Sequence, residues 1–247
     1  MLKNIVMLQA RMESSRLPGK VLMPINGKPM IEWQIRRILQ AKLIERLVVV
    51  IPDTKENDGL NVFLQSFEVD VFRGSLNNVF DRFYQASKKF RSEAIVRLTA
   101  DCPLIMPQMI DEMLEYFDKK KPDYLCNTIV ETLPDGLDIE IFRAELLNEL
   151  QASSLSKSEQ ENVTPRIWAN PDIFLVADYP HTYNLGHERW TVDYPEDLRF
   201  ISELFYYYGE DSINITIDDV LDYIKLHPSK INQQSSEFRN LVNKNLD

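Results

Sequence analysis

The segment Gln9-Ala10-Arg11-Met12-Glu13-Ser14-Ser15-Arg16-Leu17-Pro18-Gly19-Lys20 sets three cations, Arg11, Arg16 and Lys20, against one acid, Glu13. A guanidinium fork matches pairs of phosphate oxygens, and an ammonium is a mobile point charge. Ser14, Ser15, Gly19 and the backbone amides add neutral donors in a concave loop. Such a loop can hold a triphosphate and stabilise charge as pyrophosphate departs. Its pattern is neither GxxxxGK[ST] nor GxGxxG. Basic loop residues are more often merely solvated, and it is the position directly after a first strand that turns the reading toward a ligand.

Two acids stand where such a ligand would need them. Asp101 follows the expected strand Ala94–Leu98, and Asp193 follows the expected strand Trp190–Val192. A bound triphosphate normally brings Mg2+ (or Mn2+), held by one or two carboxylates, phosphate oxygens and water. Each acid also has an ordinary reading. Asp101, just before Cys102-Pro103, suits a turn. Asp193, ahead of Pro195, suits the dipole of a helix start. A compact acidic segment, Asp135, Asp138 and Glu140 beside Gly136, could accept hydrogen bonds from sugar hydroxyls or form a solvated turn before an edge strand. Glu161 and Asn162 are similar candidates. His181, His187 and His227 lack metal-ligand spacing, and Cys102 reads as a small buried filler.

The elements that must position these groups alternate. Strands are expected at Asn4–Leu8, Leu47–Ile51, Val69–Phe72 and Ala94–Leu98. Between them lie helical stripes: Ile31, Ile35, Ile38 and Leu39 after Pro29; Val79, Phe80, Phe83 and Tyr84, capped by Ser75; and Met109 to Phe117 behind Pro107. That rhythm predicts βαβ units in a mostly parallel sheet with ligands at the strands' carboxyl ends. Beyond Tyr124 it changes. Strands are expected at Asp138–Phe142, Phe174–Ala177 and Trp190–Val192, and helices at Ala144–Leu150, around Asn162–Trp168, from Pro195, and from a Thr216 cap.

Composition narrows the function. The 247 residues are 44% hydrophobic and 27% charged, enough for a full core in one large domain. We expect one domain over residues 1–228, with 127–188 as an acceptor-binding or dimerisation insertion, and a polar tail over 229–247. A net charge of −10 argues against a nucleic-acid partner, whose phosphates want a basic face. Two cysteines make neither a disulfide framework nor a zinc signature, and the first apolar run is too short for a signal peptide. With no run near the roughly 20 residues of a membrane helix, the expectation is a cytoplasmic protein with no membrane partner.

The run from Gln9 to Lys20 resembles the opening of the cytidylyltransferases related to acylneuraminate cytidylyltransferase, most closely their spore-coat polysaccharide branch. The likeness continues through Phe72-Arg73-Gly74-Ser75, Asp81-Arg82-Phe83-Tyr84, Arg97-Leu98-Thr99-Ala100-Asp101-Cys102-Pro103-Leu104, Pro134–Glu140, Glu161–Pro165 and Arg189–Leu198. The resemblance implies an α/β, Rossmann-like nucleotide-diphospho-sugar transferase fold with helices on both faces of the sheet. It implies attack by a sugar hydroxyl or phosphate on the α-phosphorus of CTP, giving a CMP-sugar and pyrophosphate for surface polysaccharide. By the same resemblance Arg11, Ser15, Arg16 and Lys20 hold the triphosphate, Arg73 lies near the nucleotide, and Asp101 and Asp193 hold the metal. Arg11, Lys20 and Asp101 are then the catalytic candidates, and Asp135, Asp138, Glu140 and Glu161 the acceptor's. Some sialic-acid enzymes carry two acids at the later metal site where this chain has Thr191 and Asp193. The spore-coat branch more often shows His where Asn162 stands. Two other readings remain open: a glycosyltransferase of the same fold that consumes a nucleotide-sugar, and a non-catalytic nucleotide-binding scaffold.

Overall fold

The computed structural model describes residues 1–228, so the expected tail lies outside the described residues. β1 (Leu2–Gln9) leads through the cationic loop and a small ribbon, β2 (Pro24–Ile25) against β3 (Lys28–Pro29), into α1 (Met30–Ile38). β4 (Arg46–Pro52), α2 (Asp58–Leu64), β5 (Asp70–Gly74), α3 (Val79–Lys89), β6 (Ser92–Thr99) and α4 (Pro107–Lys120) then alternate. β7 (Tyr124–Cys126) and β8 (Glu140–Arg143) come next, followed by α5 (Leu146–Gln151), α6 (Lys157–Asn162) and α7 (Pro165–Trp168). β9 (Val176–Asp178), α8 (Pro195–Tyr208) and α9 (Ile217–Leu226) complete the described chain.

The sheet order is β5-β4-β1-β6-β8-β7-β9. β5, β4, β1 and β6 pair in parallel, and β8 runs against both β6 and β7. From β1 the chain steps outward to β4 and β5, then returns to lay β6 on the other side of β1. The order of connection therefore reverses between β1 and β6, and the loops leaving their carboxyl ends splay apart into a crevice. The cationic loop leaves β1, and Asp101 leaves β6.

The period-2 alternation of the inner strands builds a core on each face. Val6 and Leu8 of β1 join Val49 and Ile51 of β4 on the face covered by α1, α4, α8 and α9. Ile5 and Met7 join Val48 and Val50 on the opposite face, under α3, α5 and α7. Arg37 of α1 is 1% exposed, and among the described residues no carboxylate pairs with it. Its guanidinium donates to the carbonyls of Ile105 (2.9 Å), Ser212 (3.1 Å), Ile213 (3.0 Å) and Ile215 (2.7 Å). Burial brings its pKa down to about 10. These bonds tie the loop that follows Asp101 to the segment that leads into α9.

Several expected elements differ. Trp190–Val192 forms no strand; beside it lies only an isolated bridge between Asp135 and Arg189. The segment crosses the end of the sheet instead, because its amides go to loop carbonyls: Trp190 N–H to Asp135 O (2.6 Å) and Val192 N–H to Asp101 O (2.8 Å). The helix expected around Asn162–Trp168 is broken at Val163 (φ 71°) into α6 and α7, since Pro165 has no N–H to carry the ladder through. α3 is capped by Asn78, which accepts from Asp81 N–H, while Ser75 accepts from Asn78 N–H one turn earlier. The strand expected at Phe174–Ala177 is Val176–Asp178. Segment 127–188 contributes β8 and β9 to the sheet itself.

Candidate active site

Gly19 (φ 75°) ends the cationic loop with a left-handed residue, and its N–H returns to the carbonyl of Met12 (2.9 Å). That closure turns Lys20 inward, where it is 8% exposed. The ammonium donates to Asp101 Oδ2 (3.0 Å), Asp193 Oδ1 (2.9 Å) and the carbonyl of Val192 (2.7 Å), spending all three hydrogens. Burial alone would lower the Lys20 pKa, but the two carboxylates outweigh it and raise it. The converse holds for Asp101, where burial raises the carboxyl but Lys20 holds it well below the usual range.

Arg16 reaches the same place from the loop's rim. Its Nη2 lies 2.7 Å from Asp193 Oδ1, and its guanidinium sits 5.3 Å from the centre of the Tyr194 ring. Arg189 completes the cluster with Nη2 2.8 Å from Asp193 Oδ2 and Nη1 2.6 Å from Asp135 Oδ2. Asp197, in the first turn of α8, accepts from the Asp193 and Tyr194 amides (3.0 Å each). Gly136 permits the close crossing behind this cluster. It has φ 112°, and a Cβ there would stand 2.5 Å from Thr191 N.

The cluster opens on a cleft of about 600 Å³ that extends from Arg16, Asp101 and Asp193 past Asp135 and Asp138 to Glu140, Asn162 and Trp168. At its inner end Glu140 is held by Arg97, by the Tyr124 hydroxyl (2.6 Å) and by the Thr164 hydroxyl. Arg97 Nη2 also donates to Gln9 Oε1 (3.2 Å). The Cys102 thiol, under the cleft floor, is pushed well above its ordinary pKa by burial and by Asp101 and Asp138. It is protonated at neutral pH, in keeping with a filler.

The predicted residues thus divide. Lys20, Arg16, Asp101 and Asp193 meet, and Asp135, Asp138 and Glu140 line the adjoining cleft. Ser15 is exposed on the loop, and Arg11 lies within electrostatic reach of Glu13 and Arg82. Glu161 is exposed and outside the cleft, while its neighbour Asn162 lines it. Arg73 is also outside, bound to Asp53 (2.9 Å), Asp58 (2.7 Å) and the carbonyl of Thr54 (2.9 Å). Sequence reasoning gave no role to Arg189 or Arg97. Arg189 could have been found from its motif, where a lone cation stands four residues before Asp193.

Asp101 Oδ2 and Asp193 Oδ1 converge on the Lys20 ammonium at 2.9–3.0 Å, so the two carboxylates are close enough together to fit a small divalent ion that takes its other ligands from phosphate and water. Among the described residues no group of three or more His, Cys, Asp or Glu gathers in the manner of an all-protein metal cage. Nor is any helix among them long and apolar enough to cross a membrane.

Known proteins share the family and the fold of this chain. A family model described as cytidylyltransferase matches residues 5–212. The spore coat polysaccharide biosynthesis protein SpsF of Bacillus subtilis is 28% identical over 94% of this chain and 98% of its own. A 3-deoxy-manno-octulosonate cytidylyltransferase of Chlorobium phaeobacteroides is 33% identical over 52% of this chain and 51% of its own. The solved structure of a cytidylyltransferase from Leptospira borgpetersenii superposes with a TM-score of 0.88 at 30% identity, covering 96% of this chain and all of that one. On the extent of the family match, the full-length structural likeness and the Rossmann-like crevice that holds the Lys20 cluster, the chain belongs to the cytidylyltransferase family.

Proposed function

We propose that the protein transfers CMP from CTP to a sugar, a nine-carbon sugar acid or a sugar phosphate, with release of pyrophosphate for surface polysaccharide synthesis. The observation that carries this reading is Lys20 between Asp101 and Asp193, at the switch point of the sheet and at the mouth of the cleft. Similarity to a 3-deoxy-manno-octulosonate cytidylyltransferase and to a spore coat polysaccharide biosynthesis protein supports it.

Lys20, Arg16, Arg11 and Ser15 bind the triphosphate. The charges of Lys20, Arg16 and Arg11 neutralise the β- and γ-phosphates as pyrophosphate develops, with the Ser15 hydroxyl as a neutral donor, which requires only that they be positioned in advance. Asp101 and Asp193 hold Mg2+ or Mn2+, which when bound supplies Lewis-acid stabilisation of the phosphate oxygens. Arg189 keeps Asp193 turned toward the cleft while Asp197 fixes its backbone. The acceptor occupies the arm of the cleft beyond Asp135, where Asp138 accepts from its hydroxyls and aligns the attacking oxygen.

The test is a panel of CTP, UTP, ATP and GTP with sugar acids and sugar phosphates, read as pyrophosphate release. CTP-specific release that needs both acceptor and divalent ion is the expected result. Nucleoside diphosphate released from a nucleotide-sugar would instead make the protein a glycosyltransferase. Equal affinity for all four triphosphates would remove the assignment to cytidine.

A further inference from the structure

Glu13 is the single acid of a loop otherwise furnished for anions, and its carboxylate is bound from outside the loop. Asn57, which ends a short 3-10 turn ahead of α2, is polar yet 0% exposed. Its side-chain amide donates to Glu13 Oε1 (2.8 Å), Glu13 Oε2 (2.9 Å) and Thr54 Oγ1 (2.9 Å), and its Oδ1 accepts from the backbone N–H of Met12 (3.0 Å). The Thr54 hydroxyl adds a bond to Glu13 Oε1 (2.9 Å). Burial raises the Glu13 carboxyl, but the bonds from Asn57 and Thr54 outweigh it and hold it below its usual range.

Met12 is the residue on which the loop closes. Its N–H goes to Asn57, and its carbonyl accepts from Ser14 N–H (3.0 Å) and Gly19 N–H (2.9 Å). Lys20 follows Gly19 directly. The 53–58 segment is itself pinned, since Arg73 binds Asp53, Thr54 and Asp58 together. A continuous path of hydrogen bonds therefore runs from Arg73 through Thr54 and Asn57 to Met12, and through Gly19 to the residue between the two carboxylates.

We propose that Asn57 is a positioning residue for the nucleotide loop, fixing Met12 and Glu13 so that Gly19 delivers Lys20 to Asp101 and Asp193. This inference rests on the loop binding CTP, as proposed above. A buried amide with every polar atom engaged tolerates no isosteric change of donor pattern, because an unmatched buried group carries its full desolvation cost. Arg73 acts in the same path as the anchor of the segment that holds Asn57.

The test exchanges donor for acceptor. Asn57→Asp sets a carboxylate against Glu13, and adding Glu13→Gln restores a matched amide–carboxylate pair with its polarity reversed. Three readouts are compared in the full chain: CTP affinity by calorimetry, KM for CTP against kcat, and exchange of the Met12 amide by NMR without nucleotide. Asn57→Asp is expected to raise KM and Kd for CTP about tenfold and to speed Met12 exchange, with the double variant recovering most of both. A folded Asn57→Asp protein with unchanged CTP affinity and Met12 exchange, or a double variant no better than the single, would overturn the proposal. Should Asn57→Asp not fold, Thr54→Val decides, with about a threefold rise in KM for CTP expected and no rise overturning it. If the wild-type protein does not bind CTP, the proposed function fails, while Met12 exchange still decides whether Asn57 pins the loop.

Discussion

Carboxylates lie at both ends of the cleft, but they are held in different ways. At the mouth of the cleft Asp101 is held by Lys20, and Asp193 by Lys20 and Arg16 of the same loop, with Arg189 as its one partner from a separate segment. At the inner end Glu140 of β8 is held by Arg97 of β6, Tyr124 of β7 and Thr164 before α7, so its donors come from separate elements. On the proposed function a triphosphate would compete with the carboxylates for the two loop cations, which can turn toward new oxygens without disturbing the sheet. The second set is anchored in β6, β7 and the residue before α7, so exchanging it would disturb those elements. The comparison suggests a criterion for reading such clefts: the groups that do chemistry are those whose partners can be exchanged, and a charge bound from several elements is part of the frame.

The largest test of that contrast is Lys20. Replacing it with Met removes the ammonium that links the cationic loop to both acids. We expect kcat/KM for CTP to fall about 10³-fold, the scale of losing a charge positioned for the transition state. A loss below tenfold in the pyrophosphate assay would make Lys20 part of the frame. Next in size are the two acids themselves. Asp193 faces Lys20, Arg16 and Arg189 and its side chain is 10% exposed, whereas Asp101 faces Lys20 and is 28% exposed. Asp193→Asn leaves three cations facing a neutral amide and should cost about 3 kcal/mol, against about 1 kcal/mol for Asp101→Asn. Urea midpoints measure the difference, and equal midpoints would break the ranking.

Much of this was legible in the chain, and the limits have physical causes. Leu47–Ile51 was readable as an unbroken apolar run covered on both faces, the other inner strands as short β-branched runs alternating with helical stripes, and the cationic loop because its charges oppose the acidity of the whole molecule. Asp101 could be placed by its strand. Asp193 was assigned its position by a strand that does not exist: Trp190–Val192 is as apolar as a strand, but its amides bond to loop carbonyls, a long-range outcome that local pattern cannot contain. Asn57 was invisible for the same reason, and so was the pairing of Arg189 with Asp135, although its spacing to Asp193 was legible. Each becomes significant only through partners dozens of positions away or through a crossing that Gly136 permits. The acids of the 135–140 segment looked alike in sequence. Folding separates them, giving Asp135 to Arg189 and Glu140 to the Arg97 knot.

Glu140→Gln sharpens the contrast from the other side. It keeps an acceptor for Tyr124 and Thr164 but removes the counter-charge of Arg97, whose side chain is 12% exposed. We expect a loss of about 2 kcal/mol in stability, with Kd for CTP changed less than threefold. A large fall in CTP affinity at unchanged stability would place Glu140 among the exchangeable groups.

The smallest effect belongs to Glu159, which closes the capping box of α6 with Ser156 and binds Arg166 Nε at 2.6 Å in α7. The bond from Arg166 is the main cause that brings its pKa from 4.5 down to about 2. A depressed carboxyl stabilises the fold above its unfolded pKa and loses that contribution as pH falls through its folded one. The pair is partly exposed, so we discount it to about 1 kcal/mol. Chemical denaturation of the wild type and Glu159→Gln should therefore differ by that amount at pH 6, and the gap should close between pH 4.5 and 2. Because this pair joins α6 to α7 without touching the cations of the nucleotide loop, CTP affinity at pH 7 should be the same in both proteins. A drop in that affinity would show that the two ends of the cleft are coupled through the α6–α7 junction, and the division between exchangeable and locked charges would then have to be drawn elsewhere.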